Sequence, residues 1–242
     1  MLDAHCHLDS FQYLEAHLES WLSQLSGFIT CGYDLKSSIK NVELAQAHKG
    51  VAWAVAGLAP QIAMKASDTQ LSEVLEFIRA NAAAGKIVAV GEIGLDYKWA
   101  KTDAEKKLQL IAFEAQLELA KELNLPVVIH SRDAEEKCIS LPIEMHLEKV
   151  MQHCFSGSAV LAKQAAEAGH YISIPPLHSK ERKKVIKEVT LDLLLAESDA
   201  PAIGKEPIAA LESASMIAEI KGEDAEAVKL ALEKNCRKLF SI

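Results

Sequence analysis

Ile87-Val88-Ala89-Val90-Gly91-Glu92, an amphipathic stretch from Ala104 to Leu123, and Pro126-Val127-Val128-Ile129-His130 follow one another along the chain. The two flanking runs are short, apolar and β-rich, and read as strands. Between them Leu108, Ile111, Ala112, Ala115 and Leu119 fall on one face of a helix, while Glu105, Lys106 and Glu118 lie off it. Asn124-Leu125-Pro126 stops that helix, because proline disfavours the α conformation at the residue before it. Strand, helix and strand in this spacing make a βαβ unit, and such units predict a parallel sheet.

The same rhythm extends in both directions. Further strand-like runs begin at Leu2–His5, Gly27–Cys31, Val51–Gly57, Lys149–His153, Tyr171–Ile174 and Leu191–Ala196, which with the first two makes eight. Pro142 interrupts the segment between Asp133 and Val150, where short helical pieces alone are expected. Asp224 to Phe240 reads as a closing helix. An open doubly wound sheet uses the same alternation, but no GxGxxG or GxxxxGK[ST] loop follows any of the strands. The expectation is α/β: a single (β/α)8 TIM-type barrel over residues 1–242 with a C-terminal closing helix, in a chain close to the roughly 250 residues usual for that fold.

Composition narrows the function. Lys and Arg number 26 against 34 Asp and Glu, a net charge of −8, which argues against a broad footprint for duplex nucleic acid. Cys6, Cys31, Cys138, Cys154 and Cys236 are scattered and form no CxxC pair, so they signal neither a disulfide framework nor a zinc knuckle. No apolar run is long enough to span a bilayer and no secretory signal opens the sequence, so the expectation is a cytoplasmic chain without membrane association.

The chemistry-bearing residues gather where strands end. His5 and His7 close the first strand, Glu92 the fourth, His130 the fifth and His153 the sixth, and Asp199 follows the eighth. In a barrel these ends share one rim, where barrel enzymes place their active sites. Residues two apart on a strand point to the same side, so both imidazoles of His5-Cys6-His7 can reach one ion, with Cys6 turned away. Each residue alone has an ordinary structural role open to it. Four imidazoles and two carboxylates buried on one rim, however, would leave many polar groups in need of partners without a metal. Arg132, two residues past His130, is placed to clamp an anionic oxygen, a phosphate oxygen if the substrate is a phosphoester, and Ser156 and Gly157 to offer a hydroxyl and a backbone N–H. Asp96 and Tyr97 fall in the loop after the fourth strand, where orienting substrate and anchoring the loop are equal options. Trp99 either stacks on a base or packs. His17, His48, His146, His170 and His178 lie away from the strand ends and read as surface or structural.

Asp3-Ala4-His5-Cys6-His7-Leu8-Asp9, Gly91-Glu92-Ile93-Gly94-Leu95-Asp96-Tyr97, Ile129-His130-Ser131-Arg132-Asp133-Ala134, His153-Cys154-Phe155-Ser156-Gly157, Glu197-Ser198-Asp199-Ala200-Pro201 and the closing Asn235-Cys236-Arg237-Lys238-Leu239-Phe240 resemble, in order, the signature blocks of the TatD metal-dependent deoxyribonucleases. That family belongs to the amidohydrolase-like metal barrels. The resemblance implies a metal-dependent hydrolase of the phosphodiesterase or exonuclease-like kind with two divalent ions, drawn from Zn, Mn or Mg. It implies that His5, His7, Glu92 and Asp199 hold one ion and Glu92, His130 and His153 the other. Glu92 would bridge, and Asp199 would serve as ligand and proton acceptor. The catalytic pair would thus be Glu92 and Asp199.

Three positions depart from the family pattern. Gly57-Leu58-Ala59-Pro60 stands where the family has Gly-x-His-Pro, so Ala59 removes a histidine from the mouth of the site. Pro175 and Pro176 replace a glycine-containing turn, and the loop after Asp199 is short. The metal residues are intact while the rim has diverged. Nucleic-acid ends or short single strands are therefore the expected substrate, with no obligate protein partner. A related barrel enzyme acting on an amide, lactone or small phosphoester is the alternative enzyme, and a metal-binding interaction module without catalysis is the alternative of another class.

Overall fold

The computed structural model describes Met1–Ile242. Eight strands and ten helices alternate as β1 (Leu2–Cys6), α1 (Leu14–Leu22), β2 (Gly27–Cys31), α2 (Leu35–Ala47), β3 (Ala52–Ala56), α3 (Pro60–Ala63), α4 (Asp68–Ala83), β4 (Ala89–Asp96), α5 (Asp103–Leu123), β5 (Val127–Arg132), α6 (Glu135–Glu144), β6 (Val150–His153), α7 (Ala159–Glu167), β7 (Tyr171–Ile174), α8 (Lys180–Glu188), β8 (Leu194–Ala196), α9 (Ala210–Lys221) and α10 (Ala225–Phe240). All neighbouring strands pair in parallel in sequence order, β1 through β8. The chain just beyond β8 closes the ring: Asp199 N–H donates to His5 O at 2.9 Å, and His7 N–H donates to Ala200 O at 2.8 Å. This is the expected (β/α)8 barrel. No helix is long and apolar enough to cross a membrane.

Alternation along the strands separates a floor from a rim. Ile29, Val55, Ala89, Val128, Met151 and Leu195, one from each of six strands, pack with Cys236, Leu239 and Phe240 of α10. The closing helix therefore covers the end of the barrel remote from the site. Two residues further along the same strand faces stand Cys31, His130, His153 and Glu197. Val90, Ile93, Val127, Ile129 and Val150 face outward into a second apolar layer with Phe113 and Leu117 of α5.

Two strands break this alternation. Asp3 pairs with Phe28 and Cys6 with Thr30, so β1 carries one residue more than β2 over that interval. Val90 pairs with Val127 and Ile93 with Ile129, so β4 likewise carries an extra residue. Such bulges re-aim side chains and recur beside active sites. His5 lies within the first and Glu92 within the second.

The boundaries differ from the expected ones in three places. β4 runs on to Asp96, so Glu92 lies inside the strand, and Asp96 ends it rather than sitting in the loop beyond. Leu191–Leu193 form a 3-10 turn, and β8 begins at Leu194. The segment after Asp133 is one ten-residue helix, α6, despite Pro142. A proline there deprives the Cys138 carbonyl of its helical donor. Gln152 Nε2 supplies the missing bond at 3.1 Å from the neighbouring strand.

Candidate metal centre

The six side chains at the strand ends meet in one cluster. His5 Nε2 and His7 Nε2 lie 3.3 Å apart. From His5 Nε2, Glu92 Oε2 is at 3.7 Å and Asp199 Oδ1 at 3.8 Å; from His7 Nε2 they are at 3.8 and 3.5 Å. His130 Nδ1 stands 3.0 Å from the other Glu92 oxygen, and His153 Nε2 stands 4.0 Å from Asp199 Oδ2. The His5 and His153 rings stack with centroids 3.6 Å apart. Three overlapping sets each bring three ligand atoms within 4.8 Å of one another: His5, His7 and Glu92; His5, His153 and Asp199; and Glu92, His130 and His153. His5, Glu92 and His153 each belong to two of them. All but His130 are buried, and His130 is nearly so.

Every imidazole is also held from behind. His7 Nδ1 donates to the Cys31 carbonyl at 2.8 Å. His130 Nε2 donates to Asp96 Oδ2 at 3.0 Å, and His153 Nδ1 to Glu197 Oε2 at 2.9 Å. His5 Nδ1 faces the Cys31 thiol at 3.3 Å. A proton fixed on the outer nitrogen of His7, His130 and His153 reserves the inner nitrogen, which faces the carboxylates, for a metal: with an ion bound its lone pair would coordinate, the tautomer a metal requires. Asp96 is itself positioned by Gln109, whose Oε1 accepts from Asp96 N–H at 2.9 Å. Ser173 Oγ adds a second donor to Glu197 Oε2 at 2.6 Å.

Electrostatics point the same way. Burial alone would raise Glu92, but His130, followed by His153 and His5, holds it well below the ordinary carboxylate range. Burial pulls His7 down, yet Asp199 and Glu92 outweigh it and lift the imidazole to about 9. Burial is likewise outweighed at His130, where Asp96 and Glu92 take the pKa to about 10. His5 goes the other way, pushed well below its ordinary value by burial and by repulsion from His153 and His7. A field strong enough to draw protons onto two buried imidazoles is one that favours cations. The histidine and carboxylate donors fit divalent metal binding. Cys154 stands near His153 and Glu197 in a fourth set, and burial, followed by Glu197, pushes its thiol up.

The cluster forms the base of a cavity of about 570 Å³, with Arg132, Ser156, Tyr33, Gln61 and Leu177 among its walls. Arg132 is exposed there. Ser156 donates its hydroxyl to Glu135 Oε1 at 3.0 Å. Gly157 lies outside the cavity lining. A Cβ on it would come within 2.6 Å of the Phe155 ring, so close packing accounts for this glycine. Ala59 is buried, and Gln61 and Ile62 of α3 occupy the wall beside it. Trp99 is 57% exposed and outside the cavity, and Tyr97 packs on the outer apolar layer. Among the other histidines, His170 is fully buried, His17 stacks on Trp21 and His48 meets Glu15. The sequence assigns no supporting role to Cys31 or Glu197; Asp96, for which loop anchoring is one of two options, is buried and accepts from Trp99 N–H at 3.1 Å as well as from His130. An outer-shell partner carries no spacing rule, because the sheet brings it from another strand.

Residues 2–241 match the family model described as TatD related DNase. The chain belongs to that family. An uncharacterized metal-dependent hydrolase, YabD of Bacillus subtilis, is 32% identical to this TatD-family chain, with 100% of this chain and 99% of the relative covered. The 3'-5' ssDNA/RNA exonuclease TatD of Pectobacterium atrosepticum is 30% identical, with both chains covered in full. The crystal structure of YJJV, a TatD homologue from Escherichia coli, superposes with a TM-score of 0.85 at 28% identity, covering 100% of this chain and 98% of the other. Membership makes this TatD-family protein a hydrolase, and its cluster of histidines and carboxylates is where the family's metal dependence would reside.

Proposed function

We propose that this protein is a divalent-metal-dependent phosphodiesterase that removes nucleotides from the ends of single-stranded DNA or RNA. The observation that carries the reading is the set of four imidazoles, three with the outer nitrogen bonded to oxygen and all with the inner nitrogen aimed at Glu92 or Asp199. His5, His7, Glu92 and Asp199 would hold one ion, and Glu92, His130 and His153 a second, with Glu92 shared. When bound, the ions would supply charge stabilisation at phosphorus and acidify the attacking water. Asp199 reaches the cavity and is the group placed to take a proton from that water. Arg132 and Ser156, on the cavity wall, are placed to orient the phosphate, and the name of the Pectobacterium relative supports a single strand as its bearer. The net charge of −8 argues against grip on a long duplex.

The test is to strip the protein with chelator, reload it with Mn2+, Zn2+ or Mg2+, and offer a short single strand, a blunt linear duplex and a closed circular duplex. We expect two ions per chain, no turnover without them, and cleavage in the order single strand, linear duplex, circle. Asp199→Asn should lose turnover by at least about 100-fold while keeping much of its metal, whereas Glu92→Gln should lose more metal. Rapid cutting of the closed circle, or no cutting of any of the three, would overturn the reading.

A further inference from the structure

Arg182 projects from the first turn of α8, and its side chain lines the same cavity as His7, Glu92, His130, His153 and Asp199. Nη1 donates to Leu177 O at 2.7 Å and Nη2 to Phe155 O at 3.5 Å, so the guanidinium is tied to the loops after β7 and β6 through carbonyls. Nε is buried and has no acceptor. The side chain is half-buried, and no carboxylate pairs with it. An arginine leaves water at little cost only when an anion stands beside it, since an unpaired buried charge is strongly disfavoured. Burial holds its guanidinium below the ordinary arginine value, outweighing the opposing field of Glu197, which makes no ion pair with it. The lysines that follow on the same helix differ: Lys184 is exposed and paired with Glu181 at 2.9 Å, and Lys183 is exposed.

We propose that Arg182 is a substrate-binding residue whose missing counter-charge is a phosphate in the cavity. The two carbonyls engage only part of the guanidinium fork, and each Nη carries a second N–H that is left for a non-bridging oxygen. The same carbonyls fix the fork before the ligand arrives, so little freedom is lost on binding. A lysine would keep the charge but lose both the fork and the tethers. The identity of the phosphate as part of a nucleic-acid strand rests on the proposed nuclease reading; the anion site itself does not.

The experiment uses Mn2+-loaded protein, with inorganic phosphate as a competitive ligand and a short single strand as substrate. In Arg182→Ala, phosphate affinity should fall, and KM for the strand rise, by about tenfold or more, with kcat changed much less and metal content equal to the parent's. Arg182→Lys should recover part of the loss, and Lys183→Ala should match the parent. Should the alanine variant not fold, Arg182→Gln, which keeps a donor for one carbonyl, replaces it with the same expectation. Phosphate affinity unchanged by loss of Arg182 would overturn the proposal, whether or not the unfolding temperature drops. An equal loss in Lys183→Ala would overturn it too. If the parent cleaves no strand yet its phosphate affinity still depends on Arg182, the nuclease reading fails and the anion site stands.

Discussion

Asp96 contributes through His130. Its Oδ2 holds the Nε2 proton at 3.0 Å, and this leaves Nδ1 free to face Glu92. Asp96→Ala should therefore weaken metal affinity or activity roughly 10- to 100-fold, while Asp96→Asn, which retains an acceptor oxygen, should lose less. Titrating Mn2+ or Zn2+ into each variant checks this, and equal affinity in the alanine variant and the parent would remove the role. The six candidate ligands were legible in the sequence because they recur at or near the ends of strand-like runs, which the barrel rule gathers on one rim. Asp96, Glu197 and Cys31 were not, since each acquires its role from a histidine on a different strand. Arg182 was hidden for a related reason: it lies within Lys180-Glu181-Arg182-Lys183-Lys184, a charged run that reads as a solvated helix face until α8 turns that one residue inward.

Strands and helices were legible where period and punctuation agree, as in α5, whose start is fixed by a capping box between Thr102 and Glu105 and whose end is fixed by Asn124 in the left-handed conformation. The bulges in β1 and β4 were not, because one extra residue in a strand leaves the run apolar and changes only its pairing. Gly94 belongs to the bulged strand. It has φ +137°, and a Cβ there would lie 2.0 Å from the His130 carbonyl oxygen. The close approach of β4 to β5 thus depends on the absence of a side chain. Gly94→Ala should lose roughly 1–3 kcal/mol of stability from the backbone conformation alone, and shifting His130 should lower metal affinity as well. Denaturant midpoints together with metal titration check both effects; a variant equal to the parent in both would show that the strand pair has room to relax.

Stability of the barrel as a whole responds to pH through several buried groups with opposing signs. Asp3, raised to about 8 by burial despite its bonds to Ser198, destabilises the fold as pH rises from its ordinary value of 3.8 towards 8, because the unfolded chain ionises first. His7 and His130, raised by their carboxylates, contribute stability in full below the ordinary value of 6.5 and lose it as pH rises to about 9 and about 10. His170 acts on the acid side and is not part of the metal cluster. It is fully buried, Gln152 Nε2 lies 3.3 Å from its Nδ1, and its Nε2 has no partner. Burial lowers it from 6.5 to about 4. Above pH 6.5 it is neutral in both states and contributes no pH dependence; between 6.5 and about 4 the unfolded chain takes up the proton that the folded chain refuses, so stability falls with pH. The loss approaches roughly 3 kcal/mol at the lower end. Because the other groups titrate as well, the measurement is a difference: unfolding free energies of the parent and of His170→Gln, which keeps an acceptor for Gln152, at intervals from pH 7 to pH 4. The variant should gain on the parent steadily below pH 6.5. A difference that stays constant across that window would mean that the buried imidazole charges as readily in the fold as out of it.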